Sequence, residues 1–154
     1  MGFPFQPSTQ SQLDHAVRAH RRKVYALTPM QKRETKRLLA LSDLLFTAKI
    51  SDAARRAGIQ ADFARSEADL LEKAKSEPVL IILDLNLTGV EPLKLISKLK
   101  ASPELKHTSL LAYVSHVDGE LKQKAHELGC HMVMARSAFS QNLSQILKRH
   151  AGSP

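Results

Sequence analysis

Disulfides are excluded at the outset. The 154-residue chain holds a single cysteine, Cys130, so no intrachain bridge can form and a reducing compartment is the expected setting. Long apolar runs are missing as well. The stretch from Val79 to Leu83 is far too short to span a bilayer. The opening residues, MGFPFQPSTQSQ, have neither a basic start nor an apolar core, so no secretory signal is expected. No internal repeat stands out. These absences point to a soluble cytoplasmic protein without a membrane partner. Its length suits one domain with a proper core, and its apolar fraction of 43% is well above that of a disordered chain.

Charge is plentiful but uneven. The chain carries a net +8, and residues 1–37 hold eight Lys or Arg against Asp14 and Glu34. The remaining 117 residues hold fifteen basic and thirteen acidic groups. The basic signal therefore belongs to an N-terminal arm over residues 1–36 and not to the body. The arm opens with Pro4, Pro7, Ser and Gln, which favours disorder. Leu13, Val17, Val24 and Leu27 then recur at helical spacing up to Thr28-Pro29.

From Arg37 the pattern becomes regular. RLLAL (37–41) reads as a strand ending at Ser42-Asp43, and LLFTAKISDAARRA (44–57) as a helix stopped by Gly58. IQADFA (59–64) alternates as a strand does. Ser66 with Asp69 three residues on is a capping-box signature, opening a helix that ends before Pro78. VLIILDL (79–85) is the most continuous apolar run, as a central strand buried on both faces requires. A third helix is expected over 90–101, a fourth strand over 109–115 and a helix over 118–128 stopped by Gly129. A fifth strand over 130–135 and a last helix over 139–149 complete the domain, 37–150, leaving a short tail, 151–154. Five strands alternating with five helices imply an α/β fold: a doubly wound, five-stranded parallel sheet, order 2-1-3-4-5, with helices on both faces.

In such sheets ligands bind outside the carboxyl ends of the strands. Those ends supply Ser42 and Asp43, Asp84, Ser115 and His116, and Arg136 and Ser137. Two carboxylates and a cation could hold Mg²⁺ and a phosphoryl group, because magnesium takes one or two carboxylates and completes its octahedron with phosphate oxygens and water. A carboxylate can attack phosphorus, and a cation opposite stabilises the transferring oxygens. The residues alone leave a second reading open, in which Asp43 and Asp84 only cap helices and Arg136 balances their charge.

Residues 37–150 resemble the receiver domain of bacterial response regulators, with its flavodoxin-like fold. The resemblance is carried by the five-fold β/α order, by SDLLFTAKI after strand one and by LIILDLN with its aspartate. The helix-ending LGC before strand five and the link KASPELKHTSLLAYVSH add to it. It implies a phosphorelay protein that is not an enzyme, with Asp84 as phosphoryl acceptor and Mg²⁺ held by Asp43, Asp84 and the carbonyl of Asn86. It also implies a histidine kinase, another signalling protein or a second copy of the chain as partner.

Departures from the family's pattern are as informative. Ser42 replaces the first of two adjacent acids. The strand-five Lys falls on Arg136, followed by Ser137 where Pro is usual. The switching hydroxyl falls on Val114, or on Ser115 if the following loop is one residue shorter. Leu87-Thr88 stands in place of Met-Pro. Arg and Lys are not interchangeable where a compact ammonium must reach a phosphoryl oxygen. With one carboxylate fewer, Mg²⁺ affinity falls. The resemblance therefore implies a receiver with an eroded site: a single-domain signalling protein without an output domain, Asp84 being a weak or vestigial acceptor, or a phosphorylation-independent interaction module.

Other signals are weaker. DLNLT (84–88) also resembles the nucleophile motif of haloacid-dehalogenase-type phosphatases. There a second Asp stands where this chain has Asn86, and an amide cannot serve as acid or base. His126, Cys130 and His131 suggest zinc by proximity, but neighbours 130 and 131 point to opposite faces of a strand and no second paired motif exists. His116 lies just past strand four and reads as a solvated loop residue; Tyr113 reads as core. The basic arm lacks a helix-turn-helix and interleaved aromatics beyond Tyr25, so sequence-specific readout is unsupported; a solvated arm is favoured, with a weak nucleic-acid binder acting through the arm as the remaining alternative.

Overall fold

A computed structural model describes residues 36–115 and 119–152. The expected disorder over 1–10, the expected helix over 11–27 and His116 lie outside the described residues. Strands β1 (Arg37–Leu41), β2 (Gln60–Phe63), β3 (Leu80–Asp84), β4 (Ser109–Val114) and β5 (Met132–Ala135) alternate with five helices. The helices are α1 (Leu44–Ala57), α2 (Glu67–Lys73), α3 (Pro92–Ala101), α4 (Gly119–Glu127) and α5 (Arg136–His150). All four strand pairings are parallel, in the order β2-β1-β3-β4-β5. This is the expected 2-1-3-4-5 sheet, with helices on both faces.

The strand chemistry explains the order. Every residue of β3 is buried, so the continuous apolar run occupies the centre, where both faces are covered. The edge strands β2 and β5 contain no fully buried residue; β2 (QADF) is correspondingly more polar, whereas β5 (MVMA) is apolar but only half-buried. Because side chains alternate along a strand, Leu38, Ala40, Leu80, Ile82, Leu111 and Tyr113 face one side, where α1 and α5 lie. Leu39, Leu41, Ile81, Leu83, Leu110 and Val114 face the other, where α2, α3 and α4 lie. Tyr113 and its neighbour Val114 are thus both core residues, on opposite faces. Each such Leu or Ile contributes about 1.5–3 kcal/mol by burial.

Helix ends follow the local sequence. Ser66 Oγ accepts the Asp69 N–H at 3.1 Å, while Asp69 returns a bond to the Arg65 N–H at 2.9 Å. The expected cap is therefore real, and α2 tightens into a 3₁₀ turn over Ala74–Ser76 before Pro78. Gly58, at φ 77°, ends α1 in the left-handed conformation and gives its N–H to Ala54 and Arg55.

Two expectations need correction at β5 and α5. The strand begins at Met132, two residues later than expected, because Cys130 N–H bonds back to the Ala125 carbonyl and so belongs to the helix end. Helix α5 begins at Arg136, three residues earlier than expected. Arg136 and Ser137 therefore form its first turn and do not extend the strand, since the apolar periodicity that marks the helix starts only at Phe139.

Candidate functional site

Asp84 ends β3 and is only 3% exposed. One carboxylate oxygen, Oδ1, accepts the Asn86 N–H at 2.9 Å, a bond that turns the chain sharply after the strand. Burial raises the pKa of Asp84, only partly offset by that bond, and the charge of Asp43 adds to the rise. The acid sits in the central strand because that strand ends at the sheet's carboxyl edge.

Asp43, beside it, caps α1: its Oδ1 accepts the Phe46 N–H at 2.8 Å. Its Oδ2 accepts from an Nη of Arg136. Burial pushes its pKa up, but the Phe46 N–H and Arg136 prevail and hold the carboxyl below the usual range. Arg136 comes from the first turn of α5 and reaches both acids, with Nη1 at 4.0 Å from Asp84 Oδ2. Asp43 thus caps a helix and pairs with Arg136 at once, which is the capping and charge-balancing arrangement of the second reading for this residue, while Asp84 caps no helix.

The other site positions are resolved less evenly. Ser42 Oγ lies 2.9 Å from Thr47 Oγ1, so the hydroxyl replacing an acid is tied to α1. Asn86 Oδ1 accepts the Ser115 N–H at 2.5 Å, which joins the β3 and β4 loops through the Ser115 backbone. Val114, the alternative switch position, is buried in the aliphatic core. The histidine–cysteine cluster does not converge. Cys130 lies in the core, where burial pushes its thiol up to about 12. His131 Nδ1 accepts the Leu110 N–H at 2.9 Å, and burial, with Lys100 nearby, lowers its pKa, as an accepting imidazole requires.

Sequence reasoning missed the floor of the site. The guanidinium carbon of Arg136 lies 4.5 Å from the centroid of Phe46 and 5.7 Å from that of Tyr113. Phe46, Tyr113 and Phe139 pack together, with centroids 4.7–5.6 Å apart. Tyr113 reads as core from the sequence, correctly, and Phe139 begins the apolar periodicity of the last helix; Phe46 reads only as part of a helix. Only the pairing of Asp84 with Tyr113 across β3 and β4 reveals that this core lies directly under the acids.

The donor set can be tested for a divalent metal. Both Asp43 oxygens and Asp84 Oδ1 already accept hydrogen bonds, and a guanidinium stands between the two acids. This arrangement does not suit Mg²⁺, which would have to displace Arg136. Among the described residues, no helix is long and apolar enough to cross a membrane.

No protein-family model and no curated protein matches the sequence. Solved structures do match. The chemotaxis response regulator CheY4 of Vibrio cholerae is 19% identical, covers 76% of this chain and 99% of its own, and superposes with a TM-score of 0.66. The CheY-like receiver domain from Methylobacillus flagellatus is 23% identical over 76% of this chain and 99% of its own, with a TM-score of 0.63. The Mn²⁺-bound form of the response regulator Rcp1 is 15% identical over 74% and 90%, with a TM-score of 0.62. The described domain has the fold of a response-regulator receiver domain.

Proposed function

We propose that this chain is a cytoplasmic receiver-type signalling protein of a phosphorelay, in which Asp84 is a weak phosphoryl acceptor and the main output is binding to another protein. The observation that carries this reading is Arg136, whose guanidinium donates to Asp43 and stands 4.0 Å from Asp84. At an effective dielectric near 20, a unit charge about 4 Å away interacts by roughly 4 kcal/mol before desolvation. A second cation meets that repulsion as well as the loss of the acid at Ser42. Mg²⁺ therefore binds weakly, in competition with Arg136, although Rcp1 of the same fold takes Mn²⁺.

Phosphorylation forms a bond from Asp84 Oδ2 to phosphorus as the donor's own bond to phosphorus breaks. Oδ1 stays on the Asn86 N–H, leaving Oδ2, which faces Arg136 Nη1 at 4.0 Å, as the nucleophile. Asp43, Asp84 and the Asn86 carbonyl would hold magnesium only if Arg136 were displaced, and it would then supply charge neutralisation at the incoming phosphoryl group. Arg136 supplies one fixed positive charge without it, which supports slow transfer and a nearly constant conformation. Partner binding has a surface available in the shallow groove of about 460 Å³ between α4 and β5, lined by Lys122, Gln123, His126, His131 and Met132. A histidine kinase or another signalling protein is the partner class this reading calls for.

The test is a Mg²⁺ titration followed by labelling with a small phosphodonor, in wild type, Arg136→Lys and Ser42→Asp/Arg136→Lys. Weak metal binding and slow labelling are expected of the wild type, with the double variant tightening Mg²⁺ about tenfold or more. Fast wild-type labelling that neither substitution changes overturns the weak-acceptor reading. Labelling absent from all three leaves the phosphorylation-independent module as the function.

A further inference from the structure

Arg136 could in principle swing away from its acids, since an exposed arginine is flexible and its ion pairs exchange readily with water. Its surroundings restrict this. The guanidinium carbon lies 4.5 Å from the Phe46 centroid and 5.7 Å from that of Tyr113, within the range where a ring face attracts a cation. Those rings cannot retreat. Phe46, Tyr113 and Phe139 are 0–2% exposed, Tyr113 stacks on Phe139 at 4.7 Å and 12°, and Phe46 tilts against both. Helices α1 and α5, which carry Phe46 and Arg136, are also tied at the surface by Lys49 Nζ donating to Ser140 Oγ at 3.2 Å. Lys49 Nζ itself lies 5.3 Å from the Phe46 centroid, so this ring faces two cations.

We infer that the buried rings of Phe46 and Tyr113 form a shelf that positions the partly exposed Arg136 beside the Asp43–Asp84 pair, so that the core beneath holds the built-in cation in place. Phe46 and Tyr113 are positioning residues: they act on the acids only through Arg136. The inference rests on the reading that Arg136 occupies the metal's place, and it adds what keeps Arg136 there. The shelf also accounts for arginine at this position, because a flat guanidinium can lie on a ring while its fork reaches two carboxylates, and an ammonium cannot do both.

The experiment uses the full chain labelled with ¹⁵N, with Mg²⁺ alone as the probe. Two quantities are read: the order of the Arg136 Nε–H by relaxation, and the Mg²⁺ dissociation constant. Phe46→Leu removes the π-face, and Phe46→Met is the second variant should the first not fold. Ile50→Val, on the same helix and the same core face, carries the generic effect of loosened packing. Phe46→Leu or Phe46→Met is expected to lower the Nε–H order and to tighten Mg²⁺ about fivefold, the size of one ring–cation contact. Ile50→Val is expected to leave both as in wild type. If Arg136→Lys tightens Mg²⁺ while the Phe46 variants change neither quantity, the shelf is wrong and the locked-site reading stands. If Arg136→Lys does not tighten Mg²⁺ either, the locked-site reading falls with it. An equal loss of Nε–H order in Ile50→Val reduces the shelf to general packing and also overturns the inference.

Discussion

The two faces of the sheet are built from different side chains. The face under α2, α3 and α4 is aliphatic throughout, with Leu, Ile, Val and Ala filling it together with Cys130. The face under α1 and α5 holds Phe46, Phe63, Tyr113 and Phe139, which are all the aromatic residues among the described ones. Both faces exclude water equally well, so burial does not require this division. The difference lies at the carboxyl edge, where the aromatic face ends against Asp43, Asp84 and Arg136. Rings have a negative face that an aliphatic chain lacks, so only one of the two cores can support a cation. The aliphatic face is therefore the domain's general core, and the aromatic face serves both core and site.

The sharpest way to break this comparison is to truncate one large side chain on each face. Phe139→Ala and Ile96→Ala remove residues that are both 0% exposed. Losses of about 3–5 kcal/mol for Phe139 and about 2–5 kcal/mol for Ile96 are expected in urea unfolding. Only Phe139→Ala should also loosen Arg136, because Phe139 backs Tyr113 and touches Phe46. A comparable loosening by Ile96→Ala would erase the distinction between the faces.

The division between what the sequence disclosed and what it hid follows the same line. The sheet, its order and the helix boundaries near Gly58, Ser66 and Gly129 were legible, because each rests on local spacing or on a cap within four residues. Asp43, Asp84 and Arg136 were placed at one edge by topology alone, since parallel strands put all their carboxyl ends together. The start of α5 was misread because Arg136 and Ser137 carry no apolar signal, although they complete the first helical turn. The shelf was hidden for a different reason. Phe46, Tyr113 and Arg136 are far apart in the chain, and their contact depends on side-chain register across α1, β4 and α5. Ser42 was read as a missing acid, and only the structure engages its hydroxyl with Thr47.

A smaller effect separates the two adjacent carboxylates. Asp43 has a lowered pKa: burial opposes ionisation, but the Phe46 N–H and Arg136 outweigh it. Its stabilising contribution is present above the unfolded-state value and is lost as pH falls through the folded one. Asp84 has a raised pKa, through burial first, so its contribution runs the other way, present in acid and lost as pH rises through its folded value. Asp84→Asn keeps the acceptor for the Asn86 N–H and removes the buried charge. It is expected to stabilise the protein at pH 7, with the gain vanishing below the ordinary carboxylate range. Asp43→Asn should destabilise at pH 7 and converge on the wild type in acid. Chemical denaturation from pH 3 to 8 measures both, and parallel profiles for the two variants would contradict the assigned environments.

The smallest expected effect tests the aliphatic side on its own terms. Ser66 caps α2 through Oγ to the Asp69 N–H, and Asp69 closes the box on the Arg65 N–H. Lys73, one turn further along α2, holds the same carboxylate at 3.2 Å and donates to the Phe63 carbonyl at 2.9 Å. Removing the cap leaves an N-terminal N–H to water and weakens a seven-residue helix that buries Leu70 fully. Ser66→Ala should therefore cost about 1 kcal/mol. Ser66→Asp, which keeps an acceptor and adds a charge favoured at a helix N-terminus, should restore most of it. Neither variant should move the Arg136 Nε–H or the Mg²⁺ affinity, because α2 packs on the face that carries no ring. A change in either reading on Ser66→Ala would mean that the two faces are coupled through the sheet, and the assignment of the site to one face would have to be withdrawn.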